Sequence, residues 1–328
     1  MASEIDKFAV KAYEAIYGYK PKGDVTKIDA KDVPDHDILT AGFPCQAFSV
    51  AGKRKGFEDT RGTLFFEVAR IAKEKQPKVV LLENVKGLVS HDKGRTFKII
   101  LETMESLGYT VWHKVLNSKY FGVPQNRERI FIVCIREPKG EFQFPNNDQV
   151  TTKLKDILED NVDEKYFLSE EKTKRLLSTL RENWNPEEET DKPQPLSEGN
   201  GVSLCLDANY HKGVYSFKQS IRTHIGLRMV GRIDLNGPDI CKRVYDPEGL
   251  SPTLTTMSGG HRQPKIVYDY RIRKLTPLEC MRLQGFPDDY YYTMRKIGIS
   301  DTQIYKMAGN AVTVNVVEEI CKNILEVI

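Results

Sequence analysis

Nothing in the 328-residue sequence approaches the ~20 consecutive apolar residues that a membrane-crossing helix requires. The opening residues, Met1-Ala2-Ser3-Glu4-Ile5-Asp6, lack both the basic and the apolar parts of a secretory signal, so a cytoplasmic protein without a membrane partner is expected. The six cysteines (Cys45, Cys134, Cys205, Cys241, Cys280 and Cys321) show no paired zinc spacing, and no metal is expected. In so large a chain they do not read as a disulfide framework either. An excess of one charge sign is missing too. Lys and Arg number 49 against 46 Asp and Glu, a net charge of +3, which neither demands nor forbids a nucleic-acid partner. There is no internal repeat and no low-complexity segment.

What is present is ordinary for a globular protein, with 40% hydrophobic and 29% charged residues. The length allows one large domain and a smaller one. A short helix is expected over 8–18, closed by Gly18. Strand and helix patterns then alternate: strand 37–44, helix 63–75, strand 78–85, helix 96–107, then strands 110–116 and 129–135. Such alternation predicts an α/β fold with a mostly parallel, helix-covered sheet. Residues 146–200 are polar, and 201–268 carry short β-like pieces split by Gly, Pro and Asn. Helix returns at 276–284 and, as one element, at 302–325.

Chemistry-bearing residues sit where these strands end. Cys45 follows the apolar run Asp37-Ile38-Leu39-Thr40-Ala41, inside Phe43-Pro44-Cys45-Gln46. Glu83 follows Val79-Val80-Leu81-Leu82, and Arg127 and Arg129 precede Ile130-Phe131-Ile132-Val133. Open α/β sheets place ligands in the crevice beyond the strands' carboxyl ends. Cysteine after an apolar strand is often just a small buried residue, and Cys134 within Ile132-Val133-Cys134-Ile135 reads that way. A glutamate or arginine at a strand end is often a surface carboxylate or a structural ion pair. All three motifs together, in this order, resemble the bacterial DNA cytosine-5 methyltransferases of restriction–modification systems.

That resemblance implies a Rossmann-like, S-adenosylmethionine-dependent methyltransferase sheet with a small, irregular, mainly β target-recognition domain. The expected boundaries are 1–169 for the catalytic domain, 170–268 for target recognition and 269–328 for a segment returning to the catalytic domain. The implied reaction methylates carbon 5 of a cytosine flipped out of double-stranded DNA. Cys45 would add to carbon 6, turning a poor carbon nucleophile into an enamine-like one. A free thiol has a pKa of about 8.5, so the site must help it ionise. Glu83 would act as the acid at ring nitrogen N3, and Arg129 would stabilise charge at O2, with Arg127 ordering the site.

The resemblance also assigns binding residues. Glu4, Ile5, Asp24, Val25, Pro44 and Leu64 match cofactor contacts, as do Asn310 and Ala311 in Ala308-Gly309-Asn310-Ala311-Val312; the family often has serine at the position of Ala311. Residues 51–61 form a glycine-punctuated basic loop suited to closing over phosphates. Gln46, Ser49, Lys53, Arg54 and Arg61 are the expected DNA contacts there. Arg243, Thr253 and Thr255 join them from Arg243-Val244-Tyr245-Asp246 and Ser251-Pro252-Thr253-Leu254-Thr255. A plain polar loop is the competing reading for each.

One family feature is not found. These enzymes open with an aromatic-x-Gly-x-Gly strand and loop, and this chain starts just after the point where that segment would end. The rival expectation is therefore a truncated or split enzyme that binds DNA but stays inactive until a second polypeptide supplies the first strand. An RNA methyltransferase of the same superfamily fits less well, because that branch carries Pro-Pro-Cys rather than Phe43-Pro44-Cys45.

Overall fold

The computed structural model describes residues 1–44, 64–169, 229–233, 239–257, 262–268 and 271–328. The chain forms two compact units. The first comprises Met1–Asn117, Glu128–Asn146 and Val316–Ile328; the second comprises Ser118–Arg127 and Asn147–Asn315.

The first unit begins with helix α1 (Lys7–Tyr17), whose start is fixed by Asp6: its Oδ1 accepts from the Phe8 and Ala9 amides at 2.8 and 3.2 Å. Gly18 closes the helix with φ 78° and donates its amide to the Glu14 carbonyl, a left-handed conformation that glycine adopts without Cβ strain. Strand β1 (Ile38–Gly42), helix α2 (Leu64–Lys75), strand β2 (Val79–Val85), helix α3 (Arg95–Ser106) and strand β3 (Thr110–Asn117) follow. A two-residue strand, β4 (Gln125–Asn126), belongs to the second unit, and strand β5 (Glu128–Ile135) returns to the first.

The sheet order is β1-β2-β5-β3. Only β1 and β2 run parallel; β5 is antiparallel to both β2 and β3. The sheet is therefore not mostly parallel, as the alternation predicts. A parallel return needs a crossover of a dozen residues or more, and only 118–127 separate β3 from β5. Val79, Val80, Leu81 and Leu82 of β2 are all buried, the pattern of a strand covered on both faces. Helix α2 contributes Phe65, Val68, Ala69 and Ala72, and α3 contributes Phe97, Ile100 and Met104, to one core with Val80, Leu82, Ile130 and Ile132. Burying each of the larger side chains contributes about 1.5–3 kcal/mol.

The second unit holds a sheet ordered β10-β9-β7-β6, built from β6 (Met229–Arg232), β7 (Arg243–Tyr245), β9 (Lys265–Tyr268) and β10 (Arg271–Lys274). Strand β8 (Ser251–Pro252) pairs with β4, and a short helix, α4 (Asp239–Lys242), precedes β7. Helices α5 (Pro277–Arg282), α6 (Asp288–Lys296) and α7 (Asp301–Asn310) complete it. Thr276 caps α5 in a reciprocal box with Glu279. Glu279 also takes both prongs of Arg273 at 2.8 and 2.7 Å, with both side chains fully buried.

A single helix over 302–325 is not observed. It breaks after Asn310 and resumes as α8 (Val314–Leu325), with Ala311 extended at ψ 156°. Continuing the helix would use the Gly309 and Ala311 carbonyls as i→i+4 acceptors. Arg127 takes both instead, at 3.1 and 2.7 Å.

Candidate active site

Glu83 lies next to last but one on β2, opposite Gly42 of β1 on one side and Phe131 of β5 on the other. Arg129 precedes Phe131 by two residues, so the pleat turns its side chain to the same face as Glu83. The two meet in an ion pair, Arg129 Nε to Glu83 Oε1 at 3.0 Å, with their side chains 16% and 17% exposed. That exposure strengthens the pair relative to a surface one and still leaves it open to an incoming group. Burial pulls the Arg129 guanidinium below its ordinary value, and Glu83 opposes the shift. Arg129 also donates to the Glu128 carbonyl at 2.8 Å, while the Glu128 carboxylate pairs with Lys86 at 3.0 Å.

A Cβ at Gly42 would stand 3.4 Å from Glu83 Oε2, an ordinary contact distance, so the carboxylate lies close beside the β1 backbone. Next along β2, Asn84 is 3% exposed; its amide donates to the Phe43 carbonyl at 2.7 Å and its oxygen accepts from the Val85 amide at 2.8 Å. Asn84 thus ties the end of β2 to the chain leaving β1. Residue-by-residue reading missed it, because the tie joins positions forty-one residues apart.

Cys45, Gln46, Ser49, Lys53, Arg54 and Arg61 lie outside the described residues. Their flanks are placed. Phe43 packs on Phe65 with ring centroids 5.5 Å apart, so the chain departs after β1 and returns into α2 at one point. Pro44 and Leu64 are exposed beside it.

A second feature of the first unit is a pocket of about 700 Å³ lined by Glu4, Ile5 and Asp24 together with Lys7, Val10, Lys11, Glu14 and Lys20. A parallel bridge between Ser3 and Lys22 draws its walls together, and the Ser3 hydroxyl adds a 2.6 Å bond to the Gly23 carbonyl. Glu4 Oε1 accepts from the Ile5 and Asp6 amides, both at 2.8 Å. Asp24 Oδ1 accepts from the amide and hydroxyl of Thr26 at 3.0 and 2.8 Å, and those bonds hold its carboxyl below the usual range. Ile5 is 77% exposed, an apolar surface offered to a ligand rather than to the core. Two anchored carboxylates and an exposed apolar side chain suit a ribose hydroxyl pair and a flat amino-bearing ring. Val25 turns to a separate cluster with Ala30, Val33 and Ile71. Lys7, Val10, Lys11 and Glu14 were not singled out from the sequence; their spacing along one face of α1 was the signal.

In the second unit Arg127 is 2% exposed and donates to three carbonyls, those of Leu254 (3.1 Å), Gly309 and Ala311. It organises backbone. Asn310 is exposed at the end of α7. Gly309 lets chains approach where no Cβ would fit, because one would stand 1.9 Å from the Thr255 carbonyl oxygen. Thr253 donates its hydroxyl to the Asn126 carbonyl at 2.6 Å, the Thr255 hydroxyl accepts from the Met257 amide at 3.4 Å, and Arg243 pairs with Asp239 at 2.6 Å. Among the described residues no helix is long and apolar enough to cross a membrane, and no three His, Cys, Asp or Glu side chains are arranged to hold a metal ion.

Residues 1–326 match the family model described as C-5 cytosine-specific DNA methylase. The type II methyltransferase M.HhaI of Haemophilus parahaemolyticus is 38% identical, over 98% of this chain and 86% of its own. M1.ScrFI of Lactococcus lactis subsp. cremoris, also a type II methyltransferase, is 42% identical over 100% of this chain and 72% of its own. The orphan methyltransferase M.SPBetaI of Bacillus phage SPbeta is 37% identical over 98% and 91%. Among solved structures, the S. pombe Dnmt2 methyltransferase matches with a TM-score of 0.64 at 19% identity, covering 99% of this chain and 90% of that one, a likeness of fold.

Proposed function

The chain belongs to the C-5 cytosine-specific DNA methylases, enzymes that use S-adenosylmethionine, and from that premise we propose that it methylates a flipped cytosine through a covalent Cys45 adduct. The observation that carries this reading is the Glu83–Arg129 pair, a carboxylate and a guanidinium side by side on one face at the strand ends. Cytosine presents N3 and its exocyclic amine beside O2, and the pair offers complementary groups to that edge. A base inside a duplex cannot reach such a site, so it must be flipped out.

In this reading the Cys45 thiolate forms a bond to carbon 6 while a proton passes through Glu83 to N3. Arg129 meets the charge that develops at O2. When bound, S-adenosylmethionine would supply an electrophilic methyl group for carbon 5, its sulfonium leaving as a neutral thioether. Loss of the carbon 5 proton to solvent, rupture of the sulfur–carbon 6 bond and return of the N3 proton to Glu83 regenerate the ring and free Cys45 again. Glu4, Asp24 and Ile5 are the residues that would hold the adenosine part. Double-stranded DNA is the substrate in this reading, and the type II methyltransferases among the relatives support a restriction–modification setting.

The test is transfer of labelled methyl groups to duplex DNA, followed by trapping on a duplex that carries 5-fluorocytosine. Cys45→Ser is expected to abolish both the transfer and the trapped complex while leaving DNA affinity largely intact. Turnover retained by this variant would end the assignment.

The edge of β1 favours a second reading. This parallel strand pairs only with β2 among the described residues, and Ile38 is 43% exposed, whereas parallel strands are normally buried. In this reading the chain binds DNA but transfers methyl groups only once another polypeptide adds a strand there. Label incorporated by the chain alone excludes it; label only with an added aromatic-x-Gly-x-Gly peptide establishes it.

A further inference from the structure

Strands β6 and β7 of the second unit place two arginines directly opposite each other, Arg232 against Arg243 in the antiparallel register. Like charges at directly opposed positions destabilise a sheet. One carboxylate offsets them: Asp239 in α4 binds Arg232 Nε at 3.1 Å through Oδ1 and Arg243 at 2.6 Å through Oδ2. The bond from Arg243, with the charges of Arg243, Arg232 and Lys242 behind it, holds the Asp239 carboxyl below its ordinary range. Among the described residues, three cations therefore surround one anion. The side chains of Arg232 and Arg243 are 57% and 39% exposed, so the surplus charge faces outward rather than being buried. Asp239 spans both guanidiniums and fixes their planes, which lowers the ordering cost of binding a second anion.

We infer that Arg232, together with Arg243, grips a backbone phosphate of the DNA duplex, with Asp239 as the strut that orients the two arginines. This rests on the methyltransferase reading for the identity of the polymer. The chemistry is that of a phosphodiester: guanidiniums bind phosphate oxygens in a planar, forked geometry. A phosphate contact supplies affinity and position without reading bases, so it serves every sequence equally.

The experiment measures affinity for a methylatable duplex and for an unrelated duplex between 50 and 200 mM salt. Expected for Arg232→Gln is about tenfold weaker binding to both duplexes and a drop of about one in the slope of log affinity against log salt. Arg232→Lys should restore most of the slope. An unchanged slope in Arg232→Gln overturns the proposal, as does weakening confined to one sequence. Phenylglyoxal modification of the wild-type protein, read by mass spectrometry, gives an answer that no folding defect can obscure. DNA should protect Arg232, and equal modification with and without DNA overturns the proposal. Wild-type methyl transfer run alongside separates the two levels: transfer with an indifferent Arg232 sinks only this inference, whereas no transfer or binding by wild type sinks the reading beneath it.

Discussion

At the scale of single residues, the decisive pair is Glu83 and Arg129. Replacing Glu83 with Gln keeps a hydrogen-bonding amide but removes the transferable proton, and methyl transfer should fall about 100- to 10,000-fold. Arg129→Gln should cost about 100- to 1,000-fold, the typical loss for a donor at a developing oxyanion. Single-turnover rates on a cytosine-containing duplex measure both, and a loss under threefold in either would remove that residue from the chemistry. Asn84→Ala should also slow turnover, because it cuts the 2.7 Å tie to the Phe43 carbonyl, yet it should leave the affinity for S-adenosylmethionine unchanged. Cys45, Glu83 and Arg129 stood out in the sequence as residue types beside apolar runs, and the roles proposed for them come from the resemblance of their motifs. The tie through Asn84 did not stand out, because it joins positions forty-one residues apart.

At the scale of elements, the break between α7 and α8 depends on Arg127 and on the absence of a side chain at Gly309. Gly309→Ala would drive a methyl group into the Thr255 carbonyl and should lower stability by at least about 1–3 kcal/mol, the range seen for overpacking. Urea denaturation reads this directly; a neutral substitution would show that the Thr255 segment yields. The fully buried Arg273–Glu279 pair makes a sharper case. Arg273→Met strands the Glu279 carboxylate in the interior and should cost about 3–5 kcal/mol, whereas replacing both residues with apolar ones should recover much of that loss. Most element positions were visible in the apolar periodicity of α2, α3, β2 and β5. The helix over 302–325 read as continuous although Gly309-Asn310 is a local stop signal; the carbonyl capture at the break comes from 182 residues away, at Arg127.

At the scale of the molecule, stability should depend on pH through Lys265. Its ammonium is buried, donating to the Cys241 and Gln263 carbonyls at 2.8 and 3.1 Å, and burial lowers its pKa from 10.5 to about 8. Below pH 8 both folded and unfolded chains hold this proton, and the folded state bears the full cost. From about 8 to 10.5 the unfolded chain holds more protons, so stability rises with pH, by about 2–4 kcal/mol in all. The measurement is the difference between wild type and Lys265→Met across that window, since other groups titrate in both; a flat difference would contradict it. By itself the sequence determined which chemical groups the protein carries and at which strand ends they stand, because apolar periodicity and adjacent residues are local properties of the chain. Only the tertiary structure decided that Glu83 faces Arg129, that Glu4 and Asp24 share one pocket and that Arg127 interrupts a helix. Each of these depends on strand register or on capture of a distant carbonyl, and no local pattern of residues encodes either.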